Sequence, residues 1–129
     1  MKCLFDNCLP SRLAKTLDCL EGENGISVTH ITDKFSPDIK DIDWMQELGK
    51  EDKWFVITRD NMIKKRPHEL KAWRESKLLI VFLKKNWINY NFWEISWRLI
   101  KYWPEIKKNV SSIKSSSIIL GINGKIEFI

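Results

Sequence analysis

Cysteine and histidine are scarce in this sequence, and their scarcity excludes several kinds of site. The chain has three cysteines and two histidines in 129 residues. Cys3, Cys8 and Cys19 are odd in number and form no CxxC pair, so neither a disulfide framework nor a zinc site is expected. We therefore expect reduced thiols and a cytoplasmic location.

Long hydrophobic runs are also missing. No apolar run approaches the roughly 18 residues that a membrane span needs, and no long apolar segment follows Lys2 as in a secretory signal. We expect no membrane association. The chain is 43% hydrophobic with a net charge of +5. A chain of this length and composition forms one globular domain, and its basic balance is compatible with a polyanionic partner.

Strand-like apolar runs alternate with helical periodicity through the first two thirds of the chain. This alternation predicts an α/β fold with a mainly parallel sheet and helices on both faces. The runs predicted as strands are 2–5, 26–31, 54–58 and 78–83, and the segments predicted as helices are 11–20, 38–48 and 67–76.

The final third differs from this pattern, because it contains a long helical segment. The spacing predicts a helix over 88–108, with Pro104 kinking or dividing it. Trp93, Trp97 and Ile100 recur at helical spacing. This favours a stripe that packs in the core or forms a protein interface over one that stacks on RNA bases. Such an interface would suit a homodimer or another partner protein.

A hairpin is predicted at the C-terminus. Asn123-Gly124 separates two apolar runs, and this dipeptide favours a type I′ turn. No linker divides the chain. We therefore expect a single domain over 1–129, with an α/β core over 1–86 and a helix-and-hairpin extension over 87–129.

Acidic residues follow the predicted strands. Asp6 comes directly after the first strand, and Asp60 lies two residues past the third. Asp43 lies early in the helix after the second strand, with Asp38 and Asp41 nearby. These positions meet at the carboxyl edge of a parallel sheet. Clustered carboxylates are ligands for Mg²⁺ or Mn²⁺, although the acids of that helix could equally belong to an ordinary helix N-terminus.

Basic residues surround Asp60. Arg59, Lys64, Lys65 and Arg66 lie within six positions of it. Cations beside a metal cleft suit RNA phosphates, so these four residues are candidates for RNA binding. A solvated charged surface would produce the same pattern.

Three segments resemble the compact PIN-like nucleases, and the VapC-type toxin branch most of all. They are Leu4-Phe5-Asp6-Asn7-Cys8-Leu9-Pro10 with Arg12-Leu13-Ala14, then Asp41-Ile42-Asp43-Trp44, and Trp54 to Asp60. The resemblance extends over residues 2–83. It implies a Rossmann-like PIN fold, a divalent metal ion, endonucleolytic cleavage of RNA and a cognate antitoxin that blocks the site.

The resemblance also assigns residues. Asp6 matches the first metal-binding acid of the family and Asp60 the third. Asp43 best matches the second, with Asp41 as the competing assignment. The implied protein is a metal-dependent ribonuclease toxin.

One further acid of the family has no counterpart at its usual place. Many compact relatives have an acid two residues after the third, where this chain has Met62. Glu69 is the candidate replacement, and a solvent-facing acid at a helix start is the alternative. An incomplete acid set favours a second hypothesis, a non-catalytic PIN-like interaction module.

Overall fold

The computed structural model describes residues 1–51, 53–112 and 117–129, and its centre is a six-stranded sheet. The strands are β1 (Lys2–Phe5), β2 (Ser27–His30), β3 (Trp54–Thr58), β4 (Leu79–Leu83), β5 (Ile118–Leu120) and β6 (Ile126–Phe128). Their order is β2-β1-β3-β4-β5-β6, and every pair except β5 with β6 is parallel. The predicted mainly parallel α/β fold is confirmed.

Helices cover both faces of the sheet. They are α1 (Ser11–Glu21), α2 (Ile31–Lys34), α3 (Asp41–Gly49), α4 (Pro67–Ser76) and α5 (Phe92–Ser112), with 3-10 helices at Asn61–Lys64 and Lys85–Asn89. On one face α1 and α5 bury Leu13, Leu17, Ile95, Leu99, Trp103 and Ile106. On the other face α3 and α4 bury Trp44, Met45, Leu48 and Ala72. Strands covered on both faces explain the nearly continuous apolar runs of β3 and β4.

The segment after β2 differs from the prediction in a way that matters for the site. The short helix α2 begins at Ile31, the last residue of the predicted strand 26–31. The ring of His30 caps this helix by accepting a hydrogen bond of 3.3 Å from the Thr32 N–H. Helix α3 begins at Asp41, three residues later than predicted. Asp41 and Asp43 therefore both lie in its first turn.

Helix α5 also differs from the prediction, in its limits and in its buried face. It begins at Phe92 and continues past Pro104 to Ser112, so Pro104 does not divide it. The prediction that Trp93 and Trp97 could pack in the core is wrong, because these side chains are 77% and 50% exposed. The alternative, that they form a protein interface, stays a prediction.

The C-terminal hairpin forms as predicted, but its turn is of another type. The Gly121 N–H donates to the Lys125 carbonyl at 2.8 Å, and the Gly124 N–H donates to the Gly121 carbonyl at 3.1 Å. Gly124 has a positive φ of 85°, whereas Asn123 does not. This is a three-residue loop closed by a glycine, and not the two-residue type I′ turn.

The last two strands extend the same sheet. β5 pairs in parallel with β4, and α5 shares its buried cluster with α1. The C-terminal segment and the first 86 residues therefore share both a sheet and a core. Within the described parts of the chain, no helix has the length and apolarity to cross a membrane.

Candidate metal centre

Asp6 directly follows β1, an inner strand of the sheet between β2 and β3, and is 5% exposed. Its Oδ2 accepts a hydrogen bond of 2.7 Å from the Thr58 hydroxyl, and its Oδ1 accepts one of 2.7 Å from the Asn7 N–H. Burial raises the pKa of Asp6, and the charges of nearby acids raise it further, against the lowering effect of the hydrogen bonds. The charged form of Asp6 is thus destabilised by burial, and a nearby cation would stabilise it.

Thr58 connects Asp6 to the next acid along the edge. It is the last residue of β3, and it is completely buried. Its Oγ1 donates to Asp6 and accepts a hydrogen bond of 2.9 Å from the Asp60 N–H. One hydroxyl therefore fixes the relative positions of two carboxylate-bearing residues.

Asp60 uses its two carboxylate oxygens differently. It caps the 3-10 helix Asn61–Lys64, with Oδ1 accepting a hydrogen bond of 3.0 Å from the Met62 N–H. Its Oδ2 lies 3.6 Å from Nη1 of Arg66. One of its carboxylate oxygens lies within 4.8 Å of an oxygen of Asp41, at the start of α3, and of one of Glu69, in the first turn of α4. The position before a helix is favourable for an acid, because it satisfies free N–H groups.

Asp41, Asp60 and Glu69 form the carboxylate cluster of this protein. Each offers one oxygen, and the three oxygens lie within 4.8 Å of one another. The indole N–H of Trp44 donates to Oδ1 of Asp41 at 2.9 Å, which fixes that side chain. Asp6 and Asp41 line one small cavity of about 80 Å³, so the buried acid adjoins the cluster.

The structure places Asp41 and Asp43, the two candidates for the second acid, in different environments. Asp41 belongs to the cluster, whereas Asp43 is exposed and lies outside it. Residues two apart on a helix point about 200° from each other, so Asp41 and Asp43 cannot face the same site. Glu69, the candidate replacement for a fourth acid, is in the cluster, and Asp38 is an exposed residue bonded to Ser36.

A guanidinium group lies among the three carboxylates. The Nη1 atom of Arg66 is 2.9 Å from Glu69, 3.6 Å from Asp60 and 3.9 Å from Asp41. Its hydrogen bonds with Glu69 raise the pKa of Arg66, so this side chain stays charged. Arg66 was a candidate for RNA binding, and the structure instead places it against the acids.

The other predicted RNA-binding residues have different environments. The guanidinium of Arg59 donates to the backbone carbonyls of Cys8 and Trp87 and so links the segment after β1 to the 3-10 helix Lys85–Asn89. Lys64 lies over the Phe82 ring at 4.7 Å, and burial lowers its pKa. Of these three residues, Lys65 has the exposed position that phosphate binding needs.

A groove of about 760 Å³ adjoins the cluster at Asp60. Exposed lysines and apolar side chains line this groove: Lys65, Lys84 and Lys85, with Met62 and Ile88. The other residues that line it are Cys8, Arg59, Asp60, Asn61, Lys64 and Ile119. Lys84 and Lys85 were not among the residues predicted from the sequence to bind RNA, although they directly follow β4. Their signal was the same as that of Asp6, a polar residue just past a buried strand.

The donor set of the cluster fits a hard divalent cation. Asp41, Asp60 and Glu69 offer carboxylate oxygens, which Mg²⁺ and Mn²⁺ prefer. The carboxyl edge of a parallel sheet is also where α/β proteins place their ligands. These features define an α/β protein with an acidic site suited to metal-dependent chemistry.

The chain belongs to the PIN-like domain family. The model of the family, described as a PIN-like domain, matches residues 1–85, which include β1 to β4 and all four acids of the site. No curated protein and no solved structure matches the chain. PIN-like domains are generally nucleases and typically depend on divalent metal ions, and the acid cluster agrees with both properties.

Proposed function

We propose that this protein is a divalent-metal-dependent endoribonuclease, the toxin of a toxin–antitoxin pair of the VapC type. The observation that supports it most is the meeting of three carboxylate oxygens within 4.8 Å, from three separate helical elements of a PIN-like chain. Three like charges this close repel one another, and a bound cation relieves that repulsion. The cluster therefore has a physical reason to be a metal centre.

In this proposal Asp41, Asp60 and Glu69 hold Mg²⁺ or Mn²⁺, and the buried Asp6 adds negative charge behind them. Such an ion lowers the pKa of water and neutralises charge that develops on a phosphodiester. Thr58 keeps Asp6 and Asp60 in register through its two hydrogen bonds. No covalent bond between the protein and the RNA is required.

The groove beside Asp60 holds the RNA in this proposal. Lys65, Lys84 and Lys85 line it and are exposed, so their ammonium groups can bind phosphates. Met62 and Ile88 offer apolar surface to unstacked bases. Arg59 and Lys64 shape the groove, because their side chains are engaged with backbone carbonyls and with Phe82.

The proposed partners rest on the sequence resemblance together with one surface. The segment from Leu4 to Arg12 is similar to the opening of the toxin branch, which implies an antitoxin protein. Trp93 and Trp97 project from α5 into solvent, and they are candidate contacts for that antitoxin or for a second copy of the chain. The location proposed is the cytoplasm, where free cysteines stay reduced.

RNA cleavage by the purified protein tests the proposal. We expect a labelled single-stranded RNA to be cut internally in Mn²⁺ and left intact in EDTA. Asp60→Asn should lower the rate at least about a hundredfold, a loss of about 2.7 kcal/mol in transition-state stabilisation. Asp33→Asn, which neutralises an exposed acid on α2, is the matched control and should cleave like the wild type.

A second candidate function is a non-catalytic interaction module on the same fold. Two observations favour it: Met62 occupies a position where relatives have an acid, and Arg66 already neutralises part of the cluster. This candidate predicts no cleavage of any RNA and no binding of Mn²⁺ at millimolar concentration. Cleavage that requires both Mn²⁺ and Asp60 would exclude it.

A further inference from the structure

Arg66 contacts all three proposed metal ligands; its backbone is held by a hydrogen bond, and its side chain is partly exposed to solvent. The residue caps α4 and precedes Pro67, and its N–H donates to the Met62 carbonyl at 2.9 Å. The side chain is 47% exposed. Its guanidinium can therefore leave the acids for solvent by rotating its own torsion angles, without any movement of the chain.

We propose that Arg66 is an internal counter-ion that occupies the carboxylate cluster and must leave it before a divalent cation binds. Arg66 thereby sets the affinity of the site for metal. This inference rests on the proposed function, since it takes the cluster as the metal centre. It adds that Arg66 and the divalent cation compete for the same carboxylates.

Position is the first argument for competition. The Nη1 atom of Arg66 lies 3.9 Å or less from a carboxylate oxygen of each of the three acids, Asp41, Asp60 and Glu69. An ion bound to the same oxygens would occupy the same space. A metal ion and the guanidinium of Arg66 at neighbouring positions would also repel each other strongly, because the site is partly shielded from water.

The spacing of the carboxylates is the second argument. Two oxygens bound to one Mg²⁺ are at most about 4.2 Å apart, twice the metal–oxygen distance of about 2.1 Å. The cluster oxygens lie within 4.8 Å of one another, close to that limit. An ion bound to all three would lie between them, which is where the guanidinium of Arg66 lies.

The third argument concerns the strongest of these contacts. Glu69 receives Arg66 through both of its oxygens, at 2.9 and 3.1 Å from Nη1. Both oxygens of this carboxylate thus already face a cation. A metal ion bound to Glu69 would lie close to that guanidinium and would repel it, so metal binding competes with this ion pair.

Calorimetric titration with Mn²⁺ tests the inference. We expect Arg66→Gln to bind Mn²⁺ at least about tenfold more tightly than the wild type, a difference of about 1.4 kcal/mol. Arg74→Gln removes the same charge from an exposed position at the other end of α4 and should change the affinity less than about twofold. Equal or weaker binding by Arg66→Gln would overturn the inference.

Thermal unfolding supplies a second readout that needs no RNA. In EDTA, Arg66→Gln should unfold several degrees below the wild type, because the acids then repel one another without a counter-ion. Saturating Mn²⁺ should remove this difference, whereas Arg74→Gln should follow the wild type in both conditions. An Arg66→Gln protein as stable as the wild type in EDTA contradicts the counter-ion role.

The two proposals fail in different ways. If wild type and Arg66→Gln bind Mn²⁺ with the same affinity, the competition is wrong and the metal centre stands. If neither protein binds Mn²⁺ at millimolar concentration, the metal centre is wrong and the inference about Arg66 falls with it.

Discussion

The hydroxyl of Thr58 donates a hydrogen bond of 2.7 Å to the buried carboxylate of Asp6, and it thereby joins the ends of two central strands. The two residues are 52 positions apart in the chain. Because β1 and β3 are parallel neighbours, their last residues meet at the same edge of the sheet. The site thus depends on sheet pairing as much as on the acids themselves.

Thr58→Val should destabilise the protein and disturb the site. Valine has nearly the same shape but cannot donate to Asp6, so a buried carboxylate loses a partner. We expect the free energy of unfolding in denaturant to fall by about 1–3 kcal/mol, and Mn²⁺-dependent cleavage to slow. Thr58→Ser keeps the hydroxyl and should retain most of both properties, whereas equal losses in the two variants would assign the effect to packing.

Asp6→Asn should make the metal-free protein more stable at neutral pH while it impairs cleavage. The pKa of Asp6 is raised on folding, chiefly by burial, so its charge costs stability at pH values above that raised pKa. Below its ordinary pKa of 3.8 the carboxyl group is protonated in both the folded and the unfolded chain, and the cost disappears.

The pH dependence supplies the check on this prediction. We expect the thermal midpoint of Asp6→Asn in EDTA to exceed that of the wild type at pH 7, with a gap that narrows toward pH 4. A midpoint below that of the wild type at pH 7 would mean that the lost hydrogen bonds outweigh the burial of charge.

Replacing Lys84 and Lys85 together with glutamine should weaken RNA binding and reduce its salt dependence. Each phosphate contact to single-stranded nucleic acid contributes about −0.7 to the slope of log K against log salt. We therefore expect the slope to become shallower by about 1.4 for the double variant. The measurement is fluorescence anisotropy with a labelled RNA across a salt series in EDTA, which prevents cleavage.

Lys108→Gln is the control for that experiment, because this exposed lysine lies near the far end of α5. It should leave the slope unchanged. An equal reduction for Lys108→Gln would indicate attraction to the net positive charge of the protein and not binding in the groove.

Much of the fold could be predicted from the sequence, because burial on both faces leaves a strong local signal. The apolar runs of β1 and β3 are short and unambiguous, and each is followed by an acid that the structure places at the sheet edge. The parallel arrangement then followed from the alternation of strands and helices. For the same reason, Asp6 and Asp60 could be chosen from the sequence as candidate site residues.

The parts that could not be predicted depend on the rotation of a helix about its axis. The choice between Asp41 and Asp43 requires the face that α3 turns to the sheet, and both acids lie in its first turn. In α5 two apolar stripes compete, one with Trp93 and Trp97 and one with Ile95 and Leu99. Periodicity identifies such stripes but does not decide which one the sheet will cover.

Arg66 was unpredictable for a different reason. Its charge suggested a partner of opposite sign, but a basic run beside a cleft is equally suited to RNA and to nearby acids. The three acids that it contacts come from α3, from α4 and from the start of the 3-10 helix that follows β3. Only the packing of these elements reveals that the guanidinium lies among them.

Calorimetric titration of Mn²⁺ into the wild type, Asp41→Asn and Asp43→Asn tests the central claim most directly. These variants lose the same charge two residues apart on one helix, but only Asp41 belongs to the cluster. The account predicts binding by the wild type, near-wild-type binding by Asp43→Asn, and at least about tenfold weaker binding by Asp41→Asn. No binding by the wild type at millimolar Mn²⁺, or a loss confined to Asp43→Asn, would contradict it.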